Sequence, residues 1–158
     1  MVAGPMYPKT IAWPNNVERI DHLSPQYHRS FYNRQRFTLN VTRADMIRAG
    51  YSPSVRLFEA AACGTPIISD YWPGLETLLE PGREILISTS AQETVRYLTE
   101  LTPQTRAAIG ARATERILAE HTADHRAAEL EEYAAKLLGK ISKRRRALRL
   151  APATKGSL

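Results

Sequence analysis

Cysteine is almost missing from this sequence: Cys63 is the only one in 158 residues, which excludes an internal disulfide framework and fits a reducing, cytoplasmic setting. No run of about eighteen apolar residues occurs, so no segment reads as a membrane-spanning helix. The opening MVAGPMYPKT lacks the basic-then-apolar layout of a secretory leader. No internal repeat is visible. Acidic residues are absent from positions 139–158, GKISKRRRALRLAPATKGSL, which hold seven Lys or Arg; the rest of the chain carries fifteen basic and sixteen acidic side chains. The formal charge of +6 therefore belongs to the C-terminal stretch and not to the body. A neutral body argues against specific nucleic-acid binding, because affinity would rest on that stretch alone. Its Ala, Pro, Gly and Ser suggest a flexible, solvated tail over 140–158, with weak contact to an anionic surface as the functional alternative.

What is present suits one globular domain. The length allows a single substantial core, and 43% hydrophobic with 24% charged residues excludes the disordered and fibrous classes. Short β-type runs alternate with helical patterns, which predicts an α/β fold: a Rossmann-like parallel sheet with helices on both faces, ending in a helical C-terminal segment. The expected strands are 1–3, 16–20, 37–41, 66–69 and 85–88. A helix is expected after Ser24-Pro25, with Tyr27, Phe31 and Tyr32 on its apolar side, and a loop with a short helix over 71–84. Helices follow over about 91–101, 103–119 and 123–139, the last with Ala127, Leu130, Ala134 and Leu137 on one face that should pack on something. A complete doubly wound half would place a strand and a glycine-rich turn ahead of Gly4-Pro5, so residues 1–139 are expected to be a Rossmann-like domain without its first strand.

The densest chemistry lies in SPSVRLFEAAACGTPIISD, residues 52–70. Ser52 or Ser54 can cap a helix, and Pro53 suits its first turn. The backbone N–H groups of Ser54 and Val55, backed by the helix dipole, would face an anion in the crevice beyond the strand ends. Arg56 adds a planar charged fork suited to phosphate, and Arg43 and Asn40, at the polar end of the 37–41 strand, lie on the neighbouring loop. Glu59, on the same helix face as Arg56, can accept hydrogen bonds from a ribose diol. The plainer alternative is an Arg56–Glu59 pair within the helix, worth a few tenths of a kilocalorie. His22, beyond a strand end, is a candidate ligand contact, and Asp70 lies at the same carboxyl edge. Trp72 either stacks on a base or serves as a core lid. His121 and His125 have metal-compatible spacing but no evident third ligand, Cys63 sits in an apolar run as inert packing, and no metal or cofactor is expected.

Residues Glu59-Ala60-Ala61-Ala62-Cys63-Gly64-Thr65-Pro66 resemble the E-A-x-A-x-G-x-P segment in the C-terminal, donor-binding domain of GT-B glycosyltransferases. The wider pattern resembles the CgeB-like branch of that superfamily: GPMYP at 4–8, WPNNVERIDHL at 13–23, FYNRQRFTLNVTRADM at 31–46 and, around that segment, GYSPSVRLFEAAACGTPIISD at 50–70. The resemblance covers roughly residues 1–100. It implies the C-terminal half of a GT-B fold, a metal-independent hexosyltransferase-like activity, a nucleotide-sugar donor and an N-terminal acceptor domain or partner chain. It also implies that Glu59 hydrogen-bonds the ribose, that Ser52 to Arg56 face the diphosphate and sugar, and that the catalytic base lies elsewhere. Where many relatives carry a second glutamate near the donor sugar, eight residues before the first, this chain has Tyr51. The alternative function is a noncatalytic nucleotide-binding or protein-interaction module built on the same fold.

Overall fold

The structure is a computed structural model, and it describes residues 1–4 and 7–150. Pro5 and Met6 of the GPMYP stretch, and residues 151–158 of the basic tail, lie outside the described residues. The chain divides into two compact units, Met1–Ala119 and Glu120–Leu158.

The first unit is α/β with parallel strands, as the alternating pattern predicts. Its elements in chain order are β1 (Val2–Ala3), β2 (Arg19–Ile20), a 3-10 turn at Pro25–Tyr27 running into α1 (His28–Asn33), β3 (Thr38–Asn40), α2 (Ala44–Ala49) and α3 (Val55–Ala62). There follow β4 (Ile67–Ser69), a 3-10 turn at Leu75–Thr77, β5 (Leu86–Ile87), α4 (Ala91–Glu100) and α5 (Pro103–Glu120). Where one sheet was expected there are two ladders, β1-β2 and β3-β4-β5, every pairing parallel. The helix α2 was not expected; Asp45 in its first turn and Arg48 in its last suit the helix dipole, and Gly50 ends it at φ 63°.

Strand β4 is buried on both faces and reads as an apolar run, whereas Leu39 of β3 is exposed. Side chains alternate across the three-stranded ladder. Ile67 and Ile85 point into one cluster with Leu57, Ala60, Trp72 and Leu75, while Ile68 and Leu86 join Phe37 and Ile109 in a second, against which Tyr97 and Leu98 of α4 pack. Burial of each large aliphatic side chain stabilises by about 1.5–3 kcal/mol. Helix α3 ends in Cys63-Gly64, Gly64 taking φ 71°, and α5 crosses closely enough that a Cβ on Gly110 would stand 2.1 Å from the Gly64 carbonyl oxygen. Thr114 fixes the crossing by donating from Oγ1 to the Ala61 carbonyl at 2.7 Å.

In the second unit, α6 runs from Ala123 to Leu150, past residue 139. Residues 140–150 are mostly Lys, Arg, Leu and Ala, good helix formers, and the breakers Pro152 and Gly156 come later. Leu130 and Leu137, expected to pack on something, are exposed, as are Tyr133 and Ile141. Among the described residues no helix is long and apolar enough to cross a membrane.

Candidate functional site

Strands β3 and β4 end side by side, and their last residues form a polar knot. Buried Asn40 donates from Nδ2 to Ser69 Oγ at 2.9 Å, and its Oδ1 accepts from Arg56 Nη1 at 3.2 Å. Asp70 clasps the loop after β3, accepting from the Thr42 backbone N–H at 2.9 Å and from Thr42 Oγ1 at 2.6 Å. The buried amide and hydroxyl are thereby satisfied, which makes the knot rigid and not costly. Asp70 is thus committed to holding β3 and β4 in register at their ends.

Helix α3 begins directly above this knot. Ser54 is its cap, accepting from the Arg56 backbone N–H at 3.3 Å, with Ser52 two residues ahead; Pro53 precedes the cap and does not occupy the first turn. The N–H groups at the start of a helix have no partner inside it, so those around Val55 remain at the crevice with the positive dipole end. Arg56 spends one N–H of its guanidinium on Asn40, leaving the other donors of the fork beside the carboxyl end of β3. Arg43 stands just ahead of α2 on the adjoining loop and is exposed.

Glu59 goes elsewhere. Its Oε1 accepts from His28 Nδ1 at 3.0 Å and its Oε2 from the Tyr32 hydroxyl at 3.0 Å, both on α1. The intrahelical Arg56–Glu59 pair is therefore not formed: the two side chains leave α3 toward different elements. Both carboxylate oxygens keep a second lone pair, so the group can still accept from a ligand. His28 Nε2 lies 3.2 Å from the Leu23 carbonyl oxygen, so both ring nitrogens face acceptors, an arrangement that favours the protonated ring. The pKa of His28 is accordingly raised from 6.5, chiefly by the hydrogen bond to Glu59. Tyr32 is raised as well, by burial first and by Glu59 second. Neither contact was read from the sequence, which placed Tyr32 on the apolar side of its helix. The i, i+4 spacing of His28 and Tyr32 on one helix was the available signal.

The remaining candidates divide. Trp72 is 1% exposed in the core beside Leu57 and Ile67, so its ring has no face for a base. Tyr51 holds a left-handed φ of 48°, is exposed, donates its backbone N–H to the Pro73 carbonyl at 2.8 Å and lays its ring over Gly74. Such a backbone costs about 1–3 kcal/mol and persists only where surroundings enforce it. Here Gly74, at φ 100°, has no Cβ to displace the ring. Exposed Tyr71 neighbours it, its hydroxyl bonded to Glu76 at 3.3 Å and its pKa raised chiefly by that carboxylate. His22 is exposed and, with Arg56 and His28, lines a cavity of about 840 Å³. Burial pushes the Cys63 thiol up, which keeps it an unreactive packing group. His125 is used locally, bonded through Nδ1 to Thr122 Oγ1 at 2.7 Å, and among the described residues no group of three metal-ligating side chains assembles.

A cluster of donors and a helix start at strand carboxyl ends suits an anionic ligand, as it does in many open parallel sheets. No curated protein and no solved structure matches the chain. The model of the family described as glycosyl transferase-like matches residues 1–132, most of the sequence and all of both ladders, and the chain belongs to that family.

Proposed function

We propose that this chain is the donor-binding part of a GT-B-type, CgeB-like hexosyltransferase and holds a nucleoside-diphosphate sugar at the carboxyl ends of β3 and β4. The observation that carries this reading is the placing of Arg56. Anchored through Asn40 to the strand ends and seated on the first turn of α3, it supports a diphosphate together with the N–H groups around Val55 and with Arg43. These positive groups would stabilise the diphosphate as its bond to the sugar breaks, so the reaction would not call on a metal. Glu59 is the ribose acceptor, aimed by His28 and Tyr32, and the exposed rings of Tyr51 and Tyr71 offer the face for the sugar or base that Trp72 does not. The acceptor and the catalytic base come from an N-terminal acceptor domain or a partner chain.

Calorimetry of uridine, guanosine, adenosine and thymidine diphosphates tests this directly. Arg56→Ala should weaken every phosphate-bearing ligand, inorganic pyrophosphate included, with Arg43→Ala acting in the same direction. Glu59→Gln should cost about 1–3 kcal/mol for a nucleoside diphosphate and much less for pyrophosphate. Chelation of metal ions should leave these affinities unchanged. If the wild type binds none of the four at millimolar concentration, the donor-site reading fails, and the noncatalytic interaction module takes its place.

A further inference from the structure

Every side chain described on α6, from Ala123 to Ile141, is exposed. Helices in proteins owe most of their stability to a packed apolar face, so a helix of 28 residues with none lacks a partner. Its apolar residues are not scattered. Ala127, Leu130, Ala134, Leu137 and Ile141 recur at alternating steps of three and four, the a and d positions of a coiled-coil heptad, and the sequence carries the a series on to Leu148. Leu130 is 69% and Leu137 59% exposed along this seam. Exposed Tyr133 and Leu138 flank it at g and e, while the Lys136–Glu132 ion pair and Gly139 fall on the far side at c and f.

Charge divides the same helix in two. Asp124, Glu129, Glu131 and Glu132 crowd its first half, whereas positions 133–150 hold Lys and Arg and no acid. A second α6 alongside in the same direction would set KRRR of 143–146 against itself, and like charges at close quarters repel. Run antiparallel, the acidic half of each helix meets the basic half of the other. Layer sizes agree. Parallel pairing stacks Ala134 on Ala134 and Leu137 on Leu137, alternating gaps with crowding; antiparallel pairing seats each Ala134 against a Leu137 and each Leu130 against an Ile141. Such an interface is self-complementary, so every contact occurs twice.

We infer that the exposed seam of α6 is a dimer interface, filled by the α6 of a second copy of this chain running antiparallel. With Ala123 to Leu150 in helix, the length reaches the three to four heptads of a sustained coiled coil. A lipid surface fits the charge pattern worse, because anionic headgroups that attract the basic half repel the acidic half. The inference concerns α6 alone and does not depend on the donor-site reading.

Sedimentation equilibrium of the full chain tests it. The wild type should pass from monomer to dimer as concentration rises, and added sodium chloride should weaken the dimer, since opposite charges hold its orientation. Leu137→Asp, in the seam, should weaken it by about tenfold or more. Ala135→Asp brings the same charge to position b, outside the seam, and should change the dissociation constant by no more than about twofold. Leu137 is exposed in the single chain, so the main melting transition of Leu137→Asp should match that of the wild type. A fold lost in that variant would mean that the chain covers Leu137 itself, and overturns the inference. A wild type that stays monomeric at every concentration overturns it too, as does a dimer that survives Leu137→Asp or that Ala135→Asp breaks equally. A dimer that tightens with salt overturns the antiparallel arrangement. Monomers that bind phosphatidylserine vesicles through Leu137, with no dimer, would assign the face to a lipid surface instead.

Discussion

A single carboxylate organises the most informative residues. Glu59 sits a turn into α3, yet its partners His28 and Tyr32 come from α1, so the ion pair ties two helices on the same side of the sheet. Because His28 has a folded-state pKa above its usual 6.5, its contribution to stability is fully present below about pH 6.5 and is lost as pH rises through the raised value. Melting temperature measured across pH 5–9 should therefore fall as pH rises above 6.5 in the wild type. The fall should be smaller in His28→Gln, which cannot titrate; parallel curves for the two proteins would show that the pair contributes nothing. Sequence made the residue types around Glu59 legible but not their pairing. Spacing on α3 brings Arg56 within reach of Glu59. Only the tertiary placement of α1 and of Asn40 shows that each finds a better partner across the fold.

At the scale of elements, the strands and long helices were legible because their apolar periods are unbroken: β4 as Pro66-Ile67-Ile68, α5 after Thr102-Pro103. The strand boundaries shrank, since only residues paired in a ladder count as strand and both ladders are short. The short α2 was missed because its six residues are too few to show a helical period. The crossing of α5 over the end of α3 could not be read from either helix alone, since it depends on two glycines far apart in sequence. It gives a sharp contrast. Gly110→Ala would drive a methyl group into the Gly64 carbonyl and should destabilise by about 1–3 kcal/mol or more, as overpacked sites do. Gly139→Ala, with nothing within 4 Å of its added carbon on α6, should be neutral or gain up to about 1 kcal/mol from helix propensity. Thermal unfolding of the two variants checks both signs.

Over the whole molecule, charge and chemistry are separated. The candidate site, both ladders and both core clusters lie in the first unit, whereas the basic excess lies after residue 138 in the second. Sequence exposed this separation directly, because charge counting needs no fold; it did not reveal that the basic stretch is helical as far as Leu150, since the Ala, Pro, Gly and Ser that suggested a loose end fall after it. Removing residues 140–158 takes away Lys and Arg but no side chain of the Arg56–Asn40–Ser69 knot or of the Glu59 cluster. The main melting transition and any affinity for a nucleoside diphosphate should therefore survive the deletion. The salt needed to elute the protein from heparin should fall steeply, because most of the positive excess has gone and retention on a polyanion scales with the number of ions displaced. A lowered melting temperature or lost nucleotide affinity in the truncated chain would mean that the basic stretch supports the body it follows. Unchanged heparin retention would mean instead that the fifteen basic side chains of the remainder are gathered on one face.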